Sequence, residues 1–167
     1  MKKFIPFFIL FMLSQIIVSC GIYSFTGTTA LDAESISIYL IENRAMRVNP
    51  SLSNTLTEAL KDKYKKFTKL NQLVDGGDLM VEGQITSYEV TAMAITANEV
   101  ASQNRLTVTV KIMFTDNKND KNSFEKNFVA YKDFPSAKSF DSVESTLLEP
   151  IIEQLVEDIF NGTVANW

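Results

Sequence analysis

The sequence contains no histidine and a single cysteine. The first absence removes imidazole general bases, the Ser-His-Asp and Cys-His nucleophile pairs, and every histidine-ligated metal site. The second rules out an intrachain disulfide framework, because Cys20 has nothing to pair with. A GxSxG elbow, a Gly-rich phosphate loop and an HExxH pair are missing too, as are internal repeats and low-complexity tracts. Positive charge is in the minority, with 16 Lys and Arg against 20 Asp and Glu and a formal net charge of −4. Nucleic acid is therefore not an expected partner, since phosphate neutralisation needs a basic face. The catalytic vocabulary left is carboxylate, Lys, Tyr, Ser and Thr, and no metal or cofactor is expected. A hydrolase reading would rest on Glu82 and Glu89. Along one strand these two should fall on opposite faces, more than about 20 Å apart.

What is present begins with an export signal. Lys2 and Lys3 precede an apolar run from Phe4 to Val18, which ends in Ile17-Val18-Ser19-Cys20. A positive stretch, a short apolar stretch and small residues at the cut are the layout of a cleaved leader. An aliphatic residue three places before a cysteine is the pattern cut by bacterial lipoprotein signal peptidase. A retained span would need about 20 apolar residues, and Pro6, Ser14 and Gln15 interrupt this run. The expectation is that residues 1–19 are removed and Cys20 is lipidated on its thiol and its new amino terminus. Each buried methylene contributes about 0.8 kcal/mol, so several acyl chains on one residue make release negligible. Loss of Lys2 and Lys3 would make the chain more acidic still. Gly21, not Asp, follows the cysteine, and no acidic cluster comes directly after it. Those features predict the outer membrane and its periplasmic leaflet. Residues 20–34 read as a tether and residues 35–167 as one domain with a real core.

Within the domain, Ser35–Ile41 alternates, with Ile36, Ile38 and Leu40 expected inward. Glu42–Val48 reads as a polar connection. Asn49-Pro50 reads as an N-cap followed by proline at the first helical position. Leu52, Leu56, Leu60, Tyr64 and Phe67 then recur at helical spacing. Lys61, Lys63, Lys65, Lys66 and Lys69 crowd the end of this helix. They fit either the negative end of the helix dipole or an anion-facing patch. Asp75-Gly76-Gly77 is a turn. A second strand over Asp78–Val90 changes phase between Ile85 and Tyr88, so that Gly83 or the slip marks a bulge. Thr91–Asn104 stays ambiguous. Arg105–Phe114 is the cleanest strand, with Leu106, Val108, Val110, Ile112 and Phe114 on one face. Phe124–Tyr131 returns antiparallel to it with Phe124, Phe128 and Ala130 inward. Asp141-x-x-Glu144 resembles a capping box opening an amphipathic helix to about Asn161, with a kink or restart expected at Pro150 and a C-cap at Gly162. The expected fold is α+β, ordered β-α-β-β-β-α. It is a two-layer sandwich of a four-stranded, mostly antiparallel or mixed sheet with two helices on one face.

The lipobox and CGIYSF, ISIYLIENRA with NPSLSNTLTEALKDK, GQITSYEV, NRLTVTVKIMF and the closing IFNGTVANW together resemble the LptE family, in a branch distant from the enteric bacteria. The resemblance spans nearly all of the chain after the signal. It implies a four-stranded sheet with two packed helices. It also implies a non-enzymatic role as a plug and assembly subunit of the β-barrel LptD, assisting delivery of lipopolysaccharide to the outer leaflet. Members are linked to lipopolysaccharide contact through basic residues. Candidate ligand or partner contacts in this chain are Arg105, Lys111, Lys118, Lys121 and Lys126, grouped around the hairpin. Edge charge that discourages strand addition explains the same lysines without a ligand. A lipid-anchored periplasmic binding module for another envelope ligand, using the wet sheet face, is the alternative.

Overall fold

The computed structural model describes residues 32–47, 49–93 and 102–165. The leader, Cys20 and most of the tether lie outside the described residues. Strands β1 (Ser35–Ile38) and β2 (Glu42–Asn43) precede helix α1 (Leu52–Phe67). Then come β3 (Asn71–Leu73), β4 (Leu79–Ala92), β5 (Gln103–Asp116) and β6 (Phe124–Pro135), followed by helix α2 (Phe140–Phe160). The strands form one mixed, open sheet in the order β3-β1-β4-β5-β6, with β2 pairing with β4 off that path. Strands β1 and β2 run parallel to β4, and β3 runs parallel to β1, whereas β4-β5-β6 is an antiparallel meander. The α1 crossover is what permits the parallel β1–β3 pair, which no tight turn could connect. The sheet thus has six strands, not four. The two additional ones, β2 and β3, are only two and three residues long, and all of β3 is exposed. Neither is long enough to carry an alternating pattern.

The alternation of β5 is realised in full: Leu106, Val108, Val110, Ile112 and Phe114 are each 0% exposed. On β4, Leu79, Val81 and Ile85 face the same core, and Tyr88 joins them after the phase change. The pairing of β4 with β5 shifts between Ile85 and Ser87, which puts the bulge at Thr86. Gly83 serves a different purpose. A β-carbon there would lie 2.6 Å from Ile112 Cδ1 and 2.8 Å from the Lys111 carbonyl oxygen, so the missing side chain is the space Ile112 fills. Gly76, at φ 71°, supplies the left-handed residue of the β3–β4 turn.

Both helices draw on this core. α1 buries Leu52, Leu56, Leu60 and Tyr64, and α2 buries Leu148, Ile151, Ile152, Leu155, Ile159 and Phe160. They meet at their C-terminal ends, where the Tyr64 and Phe160 rings pack edge-on at 5.2 Å and Tyr64 OH bonds Thr163 Oγ1. Burial pushes the Tyr64 phenol well above its ordinary pKa. Asn49 caps α1 as its spacing implies: its Oδ1 accepts from the Ser51 and Leu52 backbone N–H groups at 3.0 and 3.1 Å.

Several local expectations are corrected. Leu40 is 53% exposed because the chain leaves β1 after Ile38, and Ile41 takes the buried position instead. Phe67 is 56% exposed at the end of α1. The capping box does not form: α2 begins at Phe140, and Glu144 accepts from Asn49 Nδ2 at 2.9 Å and from Tyr88 OH. A carboxylate used in tertiary contacts is not available to its own helix start. α2 does not restart at Pro150, which lies inside one continuous helix. Gly162 lies in the π turn of Asn161–Ala165, where a β-carbon would come within 3.0 Å of the Phe128 ring. Its smallness serves packing, not capping.

Candidate functional site

The sheet face away from the helices carries Arg105, Thr107, Thr109, Lys111 and Met113 from β5, the side-chain set that alternates with the core residues. On β6 the matching set is Glu125, Asn127, Val129, Tyr131 and Asp133. Val129 and Tyr131 are each 52% exposed and Met113 is 43% exposed, so the face is hydroxyl-rich with a few apolar patches. Glu82 and Glu89 of β4 stand here as well, opposite Met113 and Thr107. The bulge at Thr86 reverses the parity between them and places both on this face, contrary to the expectation from uninterrupted alternation. The six β5 steps between their partners still separate them by roughly 20 Å, too far for paired carboxylate chemistry.

The five basic candidates do not form one cluster. Arg105 lies at the start of β5, where its Nε and Nη2 donate to Asp133 at 2.6 and 2.8 Å and its guanidinium sits 3.8 Å from the Tyr131 ring centroid. The bidentate bond holds the Asp133 carboxyl below the usual carboxylate range and raises the Arg105 pKa. Lys111, six residues along the same face, pairs with Glu125 at 2.7 Å. It borders a depression of about 300 Å³ that Glu42 and Glu82 also line, so an anion arriving there meets carboxylates. Lys118 lies past the end of β5, 3.5 Å from Asp78. Asp78 is held below its ordinary pKa chiefly by the backbone N–H of Glu34, with further help from Ser35 and Lys118. Lys121 is in the 3-10 turn Asp120–Asn122 beside it. Lys126 has the parity of Phe124 and Phe128, which puts it on the helix side, its Nζ 5.2 Å from the Phe128 ring centroid. Lys118 and Lys121 are thus the candidates that share a turn.

The acidic partners Asp133 and Glu125 were not singled out from the sequence. A signal for them existed. Pairing Phe114 with Phe124 across the hairpin places Asp133 directly opposite Arg105 and Glu125 opposite Met113, diagonal to Lys111.

Two grooves flank the helices. One, of about 390 Å³, lies between the start of α1 and α2, with Leu52, Leu148 and Ile152 at its base and Glu144, Glu149 and Glu153 at its rim. The other, of about 760 Å³, runs past the end of α1 and takes in Lys63, Lys66, Phe67 and Lys132. Among the described residues no helix is long and apolar enough to cross a membrane.

Comparison with known proteins gives the family. No curated protein sequence matches closely enough to count as a relative. Among solved structures, a minor lipoprotein from Acinetobacter baumannii superposes with a TM-score of 0.53 at 15% identity, over 80% of this chain and 94% of that one. Lipoprotein B from Nitrosomonas europaea superposes with a TM-score of 0.53 at 15% identity, over 81% and 85%. A Chlamydia trachomatis protein gives 0.53 at 11% identity, over 80% and 99%. At such identities these likenesses establish a shared fold. The sequence model of the LptE family, described as lipopolysaccharide-assembly, matches residues 33–162, most of the chain. The chain belongs to the LptE lipopolysaccharide-assembly family.

Proposed function

We propose that this chain is the lipid-anchored, non-catalytic subunit of a lipopolysaccharide translocon, seated as a plug in the LptD β-barrel and assisting insertion of lipopolysaccharide into the outer leaflet. The observation that carries this reading is the family match across residues 33–162. The anchor is Cys20, acylated after removal of residues 1–19 and held in the periplasmic leaflet of the outer membrane. The geometry is compatible with a plug. The core lies between the helices and one face of the sheet, while the other face offers threonines and internally neutralised charges. That chemistry suits the polar lumen of a large barrel.

Arg105, Lys111, Lys118, Lys121 and Lys126 remain the proposed ligand or partner contacts. Lys118 and Lys121, flanking one turn, are the pair best placed to share a phosphate. Arg105 and Lys111 are better suited to a partner able to exchange with Asp133 and Glu125.

The test is copurification in mild detergent through an internally tagged chain. A stoichiometric complex with a large outer-membrane barrel is expected. Replacing Thr107 and Thr109 by Glu should leave the domain folded and deplete the barrel. Recovery of the wild-type chain without any barrel would overturn the proposal. Charge reversal at Lys111, Lys118, Lys121 and Lys126 together should weaken lipopolysaccharide binding in vitro, and unchanged binding rejects those contacts.

A further inference from the structure

The chain enters the domain at one end of the sheet. Ser35 pairs with Asn71, Ile36 with Leu79, Leu79 with Asp116 and Phe114 with Phe124. The starts of β1, β3, β4 and β6 therefore share this end with the close of β5. The last turn of α1 is here as well, three residues before β3, and the contact of Phe67 with Phe160 at 6.1 Å brings the end of α2 to it.

At this end an aromatic ring stands out of the protein. Phe67 is 56% exposed, with Lys63 Nζ 4.2 Å and Lys66 Nζ 5.4 Å from its ring centroid. Lys65 and Lys69 beside it are exposed. Lys65, Lys66 and Lys69 make no salt bridge among the described residues. Carboxylates at the same end are engaged internally. Asp78 takes the N–H groups of Glu34 and Ser35. Asp116 takes the N–H groups of Lys118 and Asn119 and the Asn122 amide. Asp32, Glu34, Asp62 and Asp120 are exposed acids that remain. Lys65, Lys66 and Lys69, by contrast, fall within five residues that include Phe67, whereas Lys63, which also approaches the ring, is paired with Glu157. Compensation of the helix dipole accounts for Lys65 and Lys66. It does not account for Lys69 beyond the helix, nor for a phenyl ring left out of the core between two ammonium groups.

We propose that Lys65–Lys69, with Phe67 at its centre, is a membrane-docking corner that meets the anionic phospholipid headgroups of the leaflet holding the anchor. The proposal rests on the Cys20 anchor of the preceding section and adds an orientation to it. Residues 20–34, fully extended, reach about 50 Å at most, and they join the domain at the end that carries this corner. Phe67 would enter the headgroup region while the lysines meet lipid phosphates. Because a basic residue near an anionic surface contributes about fivefold to the docked-to-free ratio, three lysines suffice to orient a domain that an anchor already confines.

The experiment uses the lipidated full-length chain in nanodiscs. Acylation leaves no free native thiol, so a polarity-sensitive dye can be placed uniquely by Asn71→Cys, at this end, or by Met46→Cys, past β2 near the start of α1. The Asn71 reporter should shift to an apolar signal in phosphatidylglycerol-rich discs and much less in phosphatidylcholine discs. The Met46 reporter should stay aqueous in both. Reversal of Lys65, Lys66 and Lys69 to Glu should return the Asn71 signal to its aqueous value, with the circular dichroism unchanged. High salt should do the same. Aqueous signals from Asn71 in both discs would overturn the proposal. So would equal shifts at Asn71 and Met46, insensitivity to the lysine reversal, or a shift seen only when lipopolysaccharide is added. Mass spectrometry of the residue-20 peptide reads the anchor separately, so a missing lipid and a missing orientation are distinguishable failures.

Discussion

The two faces of β5 make opposite use of the same fourteen residues. Toward the helices, five side chains from Leu106 to Phe114 are fully buried. On the other side, Thr107, Thr109 and Lys111 are half-buried and Met113 is exposed, with neighbours drawn from equally polar positions of β4 and β6. Burial of a large aliphatic or aromatic side chain stabilises by about 1.5–3 kcal/mol, and a hydroxyl left half in water contributes little. The helix side thus sets the fold. The other side carries little folding energy, so its residues are free to be specified by what they touch.

The largest expected difference is between Ile112→Ala and Thr109→Ala. The first empties a fully buried position and should cost about 2–5 kcal/mol in denaturant unfolding. The second should stay within about 0.5 kcal/mol. Comparable losses would erase the distinction between the faces. Gly83→Val tests the close approach of β4 to β5. Its side chain would meet both Ile112 and a backbone carbonyl, with a loss of about 1–3 kcal/mol seen as a lowered melting temperature. Glu144→Ala removes the acceptor shared by Tyr88 and Asn49 and should cost about 1–3 kcal/mol. The Tyr88 phenol, raised in the native protein first by burial and then by Glu144, should titrate lower in that variant.

The smallest effect belongs to the sheet face away from the helices. Asp133→Asn should cost no more than about 1 kcal/mol, since the Arg105 pair is close to solvent. The sign of its pH dependence follows from the lowered native pKa of Asp133. Its contribution is complete above the ordinary carboxylate range, near about pH 4, and is lost as the pH falls through the native value. Wild type and Asp133→Asn should therefore converge in stability in acid and differ most at neutral pH. A difference that grew in acid would contradict the geometry of the pair.

The sequence was most legible where one interaction dominates. Every inward residue of β5 follows from period-two alternation. The bulge in β4 is visible as a phase change between Ile85 and Tyr88. The Asn49 cap is local, and so it reads locally. Legibility failed where a residue answers to something distant. Glu144 has the spacing of a capping box but is bonded to Tyr88 and Asn49, far away in sequence. Gly162 has the position of a C-cap but makes room for Phe128. Strand β3 has no alternation because it sits exposed at the sheet edge and, among the described residues, pairs only with β1. Among the candidate site residues the types were legible and the grouping was not. Arg105 and Lys126 fall at opposite ends of the hairpin, and Lys126 falls on the other face.

The strand that opens the domain is not an edge strand among the described residues. β1 is flanked by β3 and β4, parallel to both, and Asp78 clamps the backbone just where the chain enters. A pull transmitted along the chain to Glu34 therefore acts along β1 and loads its rungs on both sides together, in shear, where an edge strand peeled from its end would yield one rung at a time. The domain would therefore resist tension applied at its first described residues.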